Sequence, residues 1–280
     1  MKTFLVTLCL AALSFTIGNL HARSIALELS DNQPLFQAIV NNQSAAVKKC
    51  IQEDPQIVLL EDEKICTTPL MAAASKGHID ILKLLLAAGA PIDAIDKKGN
   101  TALMYALCNS KESTKVIKFF INYKADLTIP NEDDYTPIML AASNNRCDSL
   151  RMLLKAGVDI EEKGALGYTP LFAAVANNAE EGLKSLVELG ANLETRDKWS
   201  MTPLIHAAFE DNSKFVKILL QLGADINAVT TKPITVETKR FSYEIFPDKS
   251  TIAKGSTALQ IAIQYKKESA QKALENWPKK

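Results

Sequence analysis

Residues 68–74 read Thr-Pro-Leu-Met-Ala-Ala-Ala, and variants of this heptapeptide recur along the 280-residue chain. The threonines that open the motifs are separated by 33, 35, 33, 33 and 55 residues, and the last spacing is 33 plus an insertion of 22. The motifs begin at Thr68, Thr101, Thr136, Thr169, Thr202 and Thr257, and a degenerate copy begins at Pro34. A fixed period of about 33 residues is typical of a stacked solenoid, in which each repeat buries its apolar face only against its neighbours.

A second apolar pattern follows the motif in each repeat. Residues 150–157 read Leu-Arg-Met-Leu-Leu-Lys-Ala-Gly, and residues 183–190 and 216–223 repeat the pattern. Apolar residues at this spacing predict amphipathic helices, and a closing glycine predicts a left-handed cap. The capping glycines are Gly89, Gly157, Gly190 and Gly223. Each Thr-Pro start favours a helix, because proline is tolerated at the first helical position. The sequence therefore predicts repeats of two short antiparallel helices and a turn.

This arrangement resembles the ankyrin-repeat family. The resemblance rests on the motif T-P-L-x-x-A-A, on Gly77-His78-Ile-Asp, on Gly223-Ala224-Asp225, and on Asp96-Lys-Lys-Gly-Asn before the second motif. It covers residues 31–277. It implies an all-α solenoid of about seven helix-turn-helix units with β-hairpin fingers. It also implies that the protein binds other proteins through its finger tips and concave helix face, and it leaves the partner unspecified.

The chain departs from the family pattern in two respects. Family repeats often carry histidine at the fourth motif position, where it bonds the hairpins, so we expect that polar network to be missing. The residues found there are Met71, Met104, Met139, Phe172, Ile205 and Gln260. Lys124 and Asp134 stand where left-handed geometry favours glycine, and two extra residues separate Thr101 from Thr136. We expect this junction to be the least stable part of the stack.

The 22-residue insertion changes the pattern before the last repeat. Residues 230–254 alternate β-branched or aromatic residues with charged ones, and prolines mark turns. We predict one inserted β-hairpin or loop that grows from the preceding finger, and an irregular insertion is the alternative. After it, Gln271, Lys272 and Glu275 occupy positions that are apolar in earlier helices, which predicts a polar cap at the end of the stack.

The first residues indicate a compartment. Met1-Lys2 precedes an uncharged stretch over 3–20, and small residues follow, which predicts a signal peptide over 1–22, cleaved after Ala22. An uncleaved anchor is the alternative, because a span needs about 20 apolar residues. No later stretch is long and apolar enough, so we expect no stable membrane span after cleavage. The repeat domain, 31–277, is thus expected to be exported, periplasmic or secreted.

Cysteines and composition exclude some classes of protein. Four cysteines remain after residue 22, and their loose spacing favours single thiols over disulfides. The chain has 32 basic and 32 acidic side chains, and only 5 of the basic ones are arginine. Nucleic-acid binding is therefore not expected, because it needs an excess of positive charge and often arginine at base edges. The cysteines are Cys50, Cys66, Cys108 and Cys147.

No enzymatic chemistry is predicted. The sequence lacks metal-ligand spacing, a phosphate-binding glycine loop and a nucleophile motif, so we expect no cofactor, no metal site and no catalytic residue. His78 lies in the Gly-His turn of the repeat, and His206 is interpreted as a half-buried, hydrogen-bonded helix residue. A non-enzymatic protein-binding module is the favoured interpretation. The alternatives are an inhibitor or protective accessory of a periplasmic enzyme, and a secreted effector that binds a host protein.

Large side chains on the later fingers and inner helices are the candidate binding residues. Aromatic residues and methionine are enriched at interface hot spots, so exposed ones on a finger indicate a partner site. The alternative is that they pack finger against finger, or against the insertion. The candidates are Tyr135, Leu166, Tyr168, Trp199, Met201, Phe209 and Tyr265.

Overall fold

The computed structural model describes residues 34–61, 66–109, 114–164, 166–235 and 251–278. The predicted signal peptide over 1–22 and the middle of the insertion, 236–250, lie outside these ranges. Among the described residues, no helix combines the length and hydropathy that a membrane span requires.

Within the described ranges, the chain forms seven pairs of antiparallel helices, which confirms the predicted all-α solenoid. The first helices of the pairs form the inner layer: α1 (Pro34–Val40), α3 (Pro69–Lys76), α5 (Ala102–Cys108), α7 (Pro137–Ser143), α9 (Pro170–Ala176), α11 (Pro203–Phe209) and α13 (Ala258–Gln264). The second helices form the outer layer: α2 (Ser44–Glu53), α4 (Ile79–Ala87), α6 (Thr114–Asn122), α8 (Cys147–Lys155), α10 (Glu180–Glu188), α12 (Ser213–Gln221) and α14 (Glu268–Glu275). A 3₁₀ helix, Pro55–Leu59, follows α2.

The motif threonines begin the inner helices. The Thr68 hydroxyl accepts a hydrogen bond from the Met71 amide at 3.3 Å, and Thr101 and Thr202 cap their helices in the same way. Two residues that replace the family histidine bond back to the cap: the Met71 sulfur accepts from the Thr68 amide, and Gln260 Oε1 accepts from the Thr257 amide. Each of these bonds satisfies an amide that the helix itself leaves without a partner.

Small residues let the helices approach closely. Gly182, in α10, lies so near α7 that a Cβ atom placed on it would be 2.1 Å from the Ala142 carbonyl oxygen. The apolar third position of the motif is buried at 0–1% exposure in five successive repeats, at Leu70, Leu103, Ile138, Leu171 and Leu204. The core is therefore one continuous column that every repeat shares with its neighbours.

Two series of hydrogen bonds join successive repeats outside the core. In the turns between inner and outer helices, Asn145 Oδ1 accepts from the Gly182 amide and Asp211 Oδ1 accepts from the Ala270 amide, each at 2.8 Å. In the loops that follow the outer helices, a carboxylate accepts from the backbone of the next repeat. These pairs are Asp93 with Asp126, Glu161 with Asn192, and Glu194 with Asp225.

The predicted left-handed caps are present. The four glycines at the ends of the outer helices, Gly89, Gly157, Gly190 and Gly223, have φ between 92° and 101°. Lys124 and Asp134 adopt left-handed geometry without glycine, with φ of 57° and 67°. That conformation costs a residue with a side chain about 1–2 kcal/mol. Ser200 has the same finger geometry as Asp134, with φ of 71°, so the strain that distinguishes this junction is that of Lys124, where the comparable outer helices end in glycine.

The insertion begins and ends as a short antiparallel pair. Strand β1 (Ile234–Thr235) pairs with β2 (Thr251–Ile252), with Ile234 opposite Ile252. Its base therefore has the predicted hairpin geometry. In the last helix, Lys272 and Glu275 are exposed, as the predicted polar cap requires. Within the described ranges, none of the four cysteines forms a disulfide.

Replacing Lys124 with glycine should stabilise the protein, because glycine adopts φ of 57° without a Cβ penalty. We expect the free energy of unfolding in urea to rise by about 1 kcal/mol. The matched control is Lys118→Gly, at an exposed position inside α6, which should lower it by about 1 kcal/mol. Amide hydrogen exchange should show the weakest protection between α6 and α7, and equal protection in all repeats would contradict a weak junction.

Replacing Gly182 with alanine tests the close helix contact. Helix propensity alone predicts a gain of about 1 kcal/mol. The new methyl group would instead collide with the Ala142 carbonyl, so we expect a loss of about 1–3 kcal/mol in thermal or urea unfolding. Glu188→Ala, an exposed change in the same helix, should leave stability nearly unchanged. A stabilised Gly182→Ala variant would show that the two helices are further apart.

Candidate functional site

The fingers are tight turns that an acidic side chain holds in shape. In the finger before α5, Asp96 Oδ1 accepts from the amides of Lys98 and Asn100, both at 2.8 Å. In the finger before α11, Asp197 Oδ1 accepts from the amides of Trp199 and Met201 at 2.9 and 2.8 Å. Each finger therefore places its tip at a fixed position relative to the inner helix that follows it.

Four of the predicted binding residues are buried, so the expectation that they are exposed is wrong. Tyr135, Tyr168, Met201 and Tyr265 retain 3%, 5%, 1% and 8% of their exposure. The first three stand immediately before a motif threonine, at the base of the finger, where the side chain turns onto the inner helices. The Tyr168 ring stacks on Phe172 at 5.3 Å between centroids. This stacking joins the finger to the inner helix of its own repeat, whereas the alternative from the sequence was packing of finger against finger or against the insertion.

The other three predicted residues keep part of their surface. Leu166, Trp199 and Phe209 are half-buried and pack against the core. The Trp199 ring lies 6.2 Å from the Tyr168 ring, and Lys198 Nζ lies 4.5 Å from the centroid of the Trp199 ring. Phe209 meets the Tyr265 ring edge-on at 5.2 Å. A role for any of the seven residues in binding a partner stays a prediction.

A buried polar contact connects the second finger to α5. The Tyr105 hydroxyl donates to Asp96 Oδ2 at 2.7 Å, and Thr67 Oγ1 lies 3.5 Å from the same hydroxyl. Burial raises the pKa of Tyr105 well above its usual range, so the phenol stays protonated and can donate. Sequence reasoning missed this contact. Its signal is the nine-residue spacing between a finger aspartate and the middle of the inner helix.

The same spacing recurs at Asp197 and His206, and here the contact is not made. Both residues are buried, and in the described part of the chain Asp197 Oδ2 and His206 Nδ1 have no hydrogen-bond partner. Burial raises the pKa of Asp197 to about 6, although the hydrogen bonds from the Met201 and Trp199 amides lower it. Burial lowers the pKa of His206 to about 4. His206 is thus more buried than the sequence suggested.

Three hydrogen-bond acceptor groups occupy the same position in three successive repeats of the inner layer. Asn144, Asn177 and Glu210 each end an inner helix, eight residues after the motif threonine. The two carboxamides donate back to their own helices, Asn144 to the Leu140 carbonyl at 3.0 Å and Asn177 to the Ala173 carbonyl at 2.9 Å. Their Oδ1 atoms accept no hydrogen bond from any described residue. We name this set the acceptor row.

Glu210, the third member of the acceptor row, is half-buried. Its carboxylate makes no ion pair or hydrogen bond with the residues that the structure describes. Burial raises the pKa of Glu210 to about 7, and the positive charge of Lys267 acts in the opposite direction. The sequence signal for the row is the fixed eight-residue distance from the motif threonine.

A groove lies at one end of the acceptor row, between α5 and α7. Its wall is preorganised by hydrogen bonds: Asn131 Nδ2 donates to Asn100 Oδ1 at 2.9 Å, and Asn177 Nδ2 donates to the Tyr135 hydroxyl at 2.9 Å. Burial raises the pKa of the Cys108 thiol to about 11, so the sulfur contributes a neutral surface. The groove is lined by Asn100, Cys108, Asn131, Asp133, Tyr135, Leu140 and Asn144.

Within the described ranges, the structure contains no group of three or more histidine, cysteine or acidic side chains that could hold a metal ion. The inner layer presents hydrogen-bond acceptors and partly exposed aromatic side chains.

The family follows from comparison with known proteins. The family described as ankyrin repeats (3 copies) matches residues 15–96, 35–131, 70–164 and 138–230, which together span more than half of the chain. The chain therefore belongs to the ankyrin-repeat family. An ankyrin-repeat domain is a generic protein–protein interaction module.

Individual relatives match over part of their length. The chain is 33% identical over 128 residues to the ankyrin repeat and KH domain-containing protein mask-1 of Caenorhabditis elegans, covering 45% of this chain and 5% of the relative. It is 32% identical over 125 residues to the mouse ankyrin repeat and SAM domain-containing protein 6, covering 44% and 14%. The chain thus spans a small part of these relatives.

Solved structures show the same fold. The ankyrin repeat domain of human ASB11 has a TM-score of 0.64 and 24% identity, covering 89% of this chain and 100% of that one. The ankyrin repeat domain of Bcl-3 has a TM-score of 0.63 and 22% identity, covering 88% and 99%. At this identity the likeness establishes the fold alone.

The buried Asp197 and His206 should give opposite dependences of stability on pH. Unfolded His206 titrates near 6.5, and its folded pKa is about 4, so acidification between these values favours the unfolded state. Through His206, the wild type should lose about 3 kcal/mol of stability between pH 6.5 and 4. The His206→Phe variant should not show this loss. Urea unfolding at a series of pH values measures this, and parallel wild-type and variant profiles would contradict it.

Asp197→Asn is the counterpart with the reverse sign. The folded pKa of Asp197 is about 6 and lies above its unfolded value, so its protonated form stabilises the protein at low pH and this contribution is lost as the pH rises through 6. The variant should therefore lose more stability on acidification than the wild type. Its amide oxygen can still accept from the finger amides, so the finger itself should be preserved.

Proposed function

We propose that the protein is an exported, non-enzymatic ankyrin-repeat protein that binds a protein partner through its finger tips and concave inner face. The observation that carries the proposal is the acceptor row, in which three successive repeats each present an unused acceptor atom on the inner layer. These oxygens are not among the buried atoms that lack a partner, so water reaches them in the free protein and can be exchanged for hydrogen-bond donors. A bound protein would supply such donors.

Partly exposed apolar surface supports the same face. Leu166, Trp199 and Phe209 belong to the later repeats and pack against the core, and tryptophan is enriched at binding hot spots. The buried Tyr135, Tyr168 and Met201 anchor the bases of the fingers, and the Tyr168 ring contacts the Trp199 ring. Export rests on the predicted signal peptide over residues 1–22.

Substitution of Trp199 and Leu166 by alanine should abolish partner binding without unfolding the repeats, because both side chains are half-exposed. Crosslinked capture from secreted and periplasmic fractions, followed by mass spectrometry, measures the loss. The matched control is Tyr123→Ala, which removes an aromatic residue that is 48% exposed at the end of outer helix α6. A partner that both variants retain would contradict binding through the later fingers.

The stability of the same variants separates a binding role from a packing role. If Trp199 serves the interface, its removal leaves the melting temperature nearly unchanged. If the contact of Trp199 with Tyr168 stabilises the finger instead, the melting temperature of the variant falls. The variant then loses its partner because it unfolds. Export is checked independently by N-terminal sequencing of the exported chain, which should begin at Arg23. Retention of the full-length chain inside the cell would contradict it.

A further inference from the structure

The acceptor row has a chemical polarity that restricts what it can bind. Both hydrogens of each NH₂ group are used. Asn144 Nδ2 donates to the Leu140 carbonyl and to Cys108 Sγ, and Asn177 Nδ2 donates to the Ala173 carbonyl and to the Tyr135 hydroxyl, so only acceptor atoms remain. Glu210 adds a carboxylate, which accepts hydrogen bonds only when ionised. A ligand that matches all three must present donors and no acceptors at those points. Among protein side chains, lysine and arginine have this property.

No cation in the described part of the chain already fills this role. Lys267 acts on Glu210 at long range and makes no ion pair with it within 4.0 Å. Arg146, near the start of the row, donates to the carbonyl oxygens of Leu107 and Asn109. Asp133, on the groove beside Asn144, forms no ion pair with a described residue.

The spacing of the row selects the backbone conformation of the ligand. The row members are separated by 33 residues each, so one acceptor lies on each of three regularly stacked inner helices. Packed helices lie about 8–10 Å apart. A polyproline II helix has three residues per turn and rises about 3.1 Å per residue, so residues i, i+3 and i+6 face one side about 9 Å apart. In a β-strand, residues i and i+3 face opposite sides.

We propose that Asn144, Asn177 and Glu210 bind a polyproline II segment of the protein partner that carries lysine or arginine at every third residue. Each cation donates to one acceptor of the row, and its methylene stem lies against the surface of the inner layer. The inference rests on the proposed function, since it specifies the chemistry of the partner that this face would bind.

The direct test uses two blocked synthetic peptides of identical composition. One is Lys-Pro-Pro-Lys-Pro-Pro-Lys, with lysine at every third position, and the other is Lys-Pro-Lys-Pro-Lys-Pro-Pro, whose lysines point to different sides of the same helix. Calorimetry at low salt should show the first binding at least about tenfold more tightly, since three charge-assisted hydrogen bonds form together. Equal affinities, or tighter binding of a peptide with glutamate in place of lysine, would overturn the proposal.

Variants of the row test the individual contacts. Asn144→Ala, Asn177→Ala and Glu210→Gln should each weaken binding of the every-third-lysine peptide by about fivefold to tenfold. The control is Asn276→Ala, because Asn276 donates to the Lys272 carbonyl at the end of α14 through the same local bond but lies outside the row. Circular dichroism and melting curves establish that each variant is folded. Unchanged affinity in folded row variants would place the peptide elsewhere and overturn the proposal.

The pH dependence of peptide binding tests the contact with Glu210 separately from the contacts with the two asparagines. In the free protein its pKa is about 7, and the cation binds the ionised form, so affinity should rise about tenfold between pH 6 and pH 8. Glu210→Gln should lose this rise, whereas Asn276→Ala should keep it. Asp197, with a pKa of about 6, titrates at the lower edge of this range, so the rise should also be measured in Asp197→Asn, where it should persist; His206 stays neutral over this range. A rise that persists in Glu210→Gln would exclude this carboxylate from the site.

Competition separates failure of this inference from failure of the proposed function. The every-third-lysine peptide should displace the captured partner in the crosslinking experiment. A partner that is captured but not displaced would overturn the basic polyproline II ligand and leave protein binding intact. Capture of no partner by the wild type would count against the proposed function, and the peptide measurements would still decide the chemistry of the row.

Discussion

Stacking at a fixed spacing is the constraint on which every other feature of this structure depends. A single pair of short helices cannot bury its apolar face, so each repeat is stable only against its neighbours. Small residues set how close the neighbours come, and Gly182 against the Ala142 carbonyl is the tightest example. Because the spacing is uniform, any position of the motif is repeated along the stack as a row of side chains. The acceptor row is one such row.

Local signals in the sequence predicted the fold well. The Thr-Pro starts, the closing glycines and the period of about 33 residues specify where helices begin, where they end and how they stack. The insertion was predicted as a hairpin or loop, and its described ends pair as strands. These features depend on residues close to one another in the chain, which is why the sequence carries them.

The candidate site depends on neighbouring repeats, and there the sequence was a poorer guide. Tyr135 and Tyr168 look like finger-tip residues, yet their orientation is decided by the inner helix that the next repeat places beside them. Likewise, the unused oxygens of Asn144 and Asn177 follow from which amide atoms the helix ends consume. Sequence spacing locates these residues, but it does not tell which of their atoms remain available.

The buried thiol beside the groove has a consequence for the redox chemistry of the protein. With a pKa of about 11, Cys108 is ionised in only about one molecule in ten thousand at pH 7, and the thiolate is the species that reacts with oxidants and disulfides. Folding therefore protects this sulfur kinetically, whatever the redox poise of the surroundings. A chain that unfolds in an oxidising compartment loses that protection, and its thiols become open to mispairing. For Cys108, resistance to oxidation therefore depends on the stability of the fold around it.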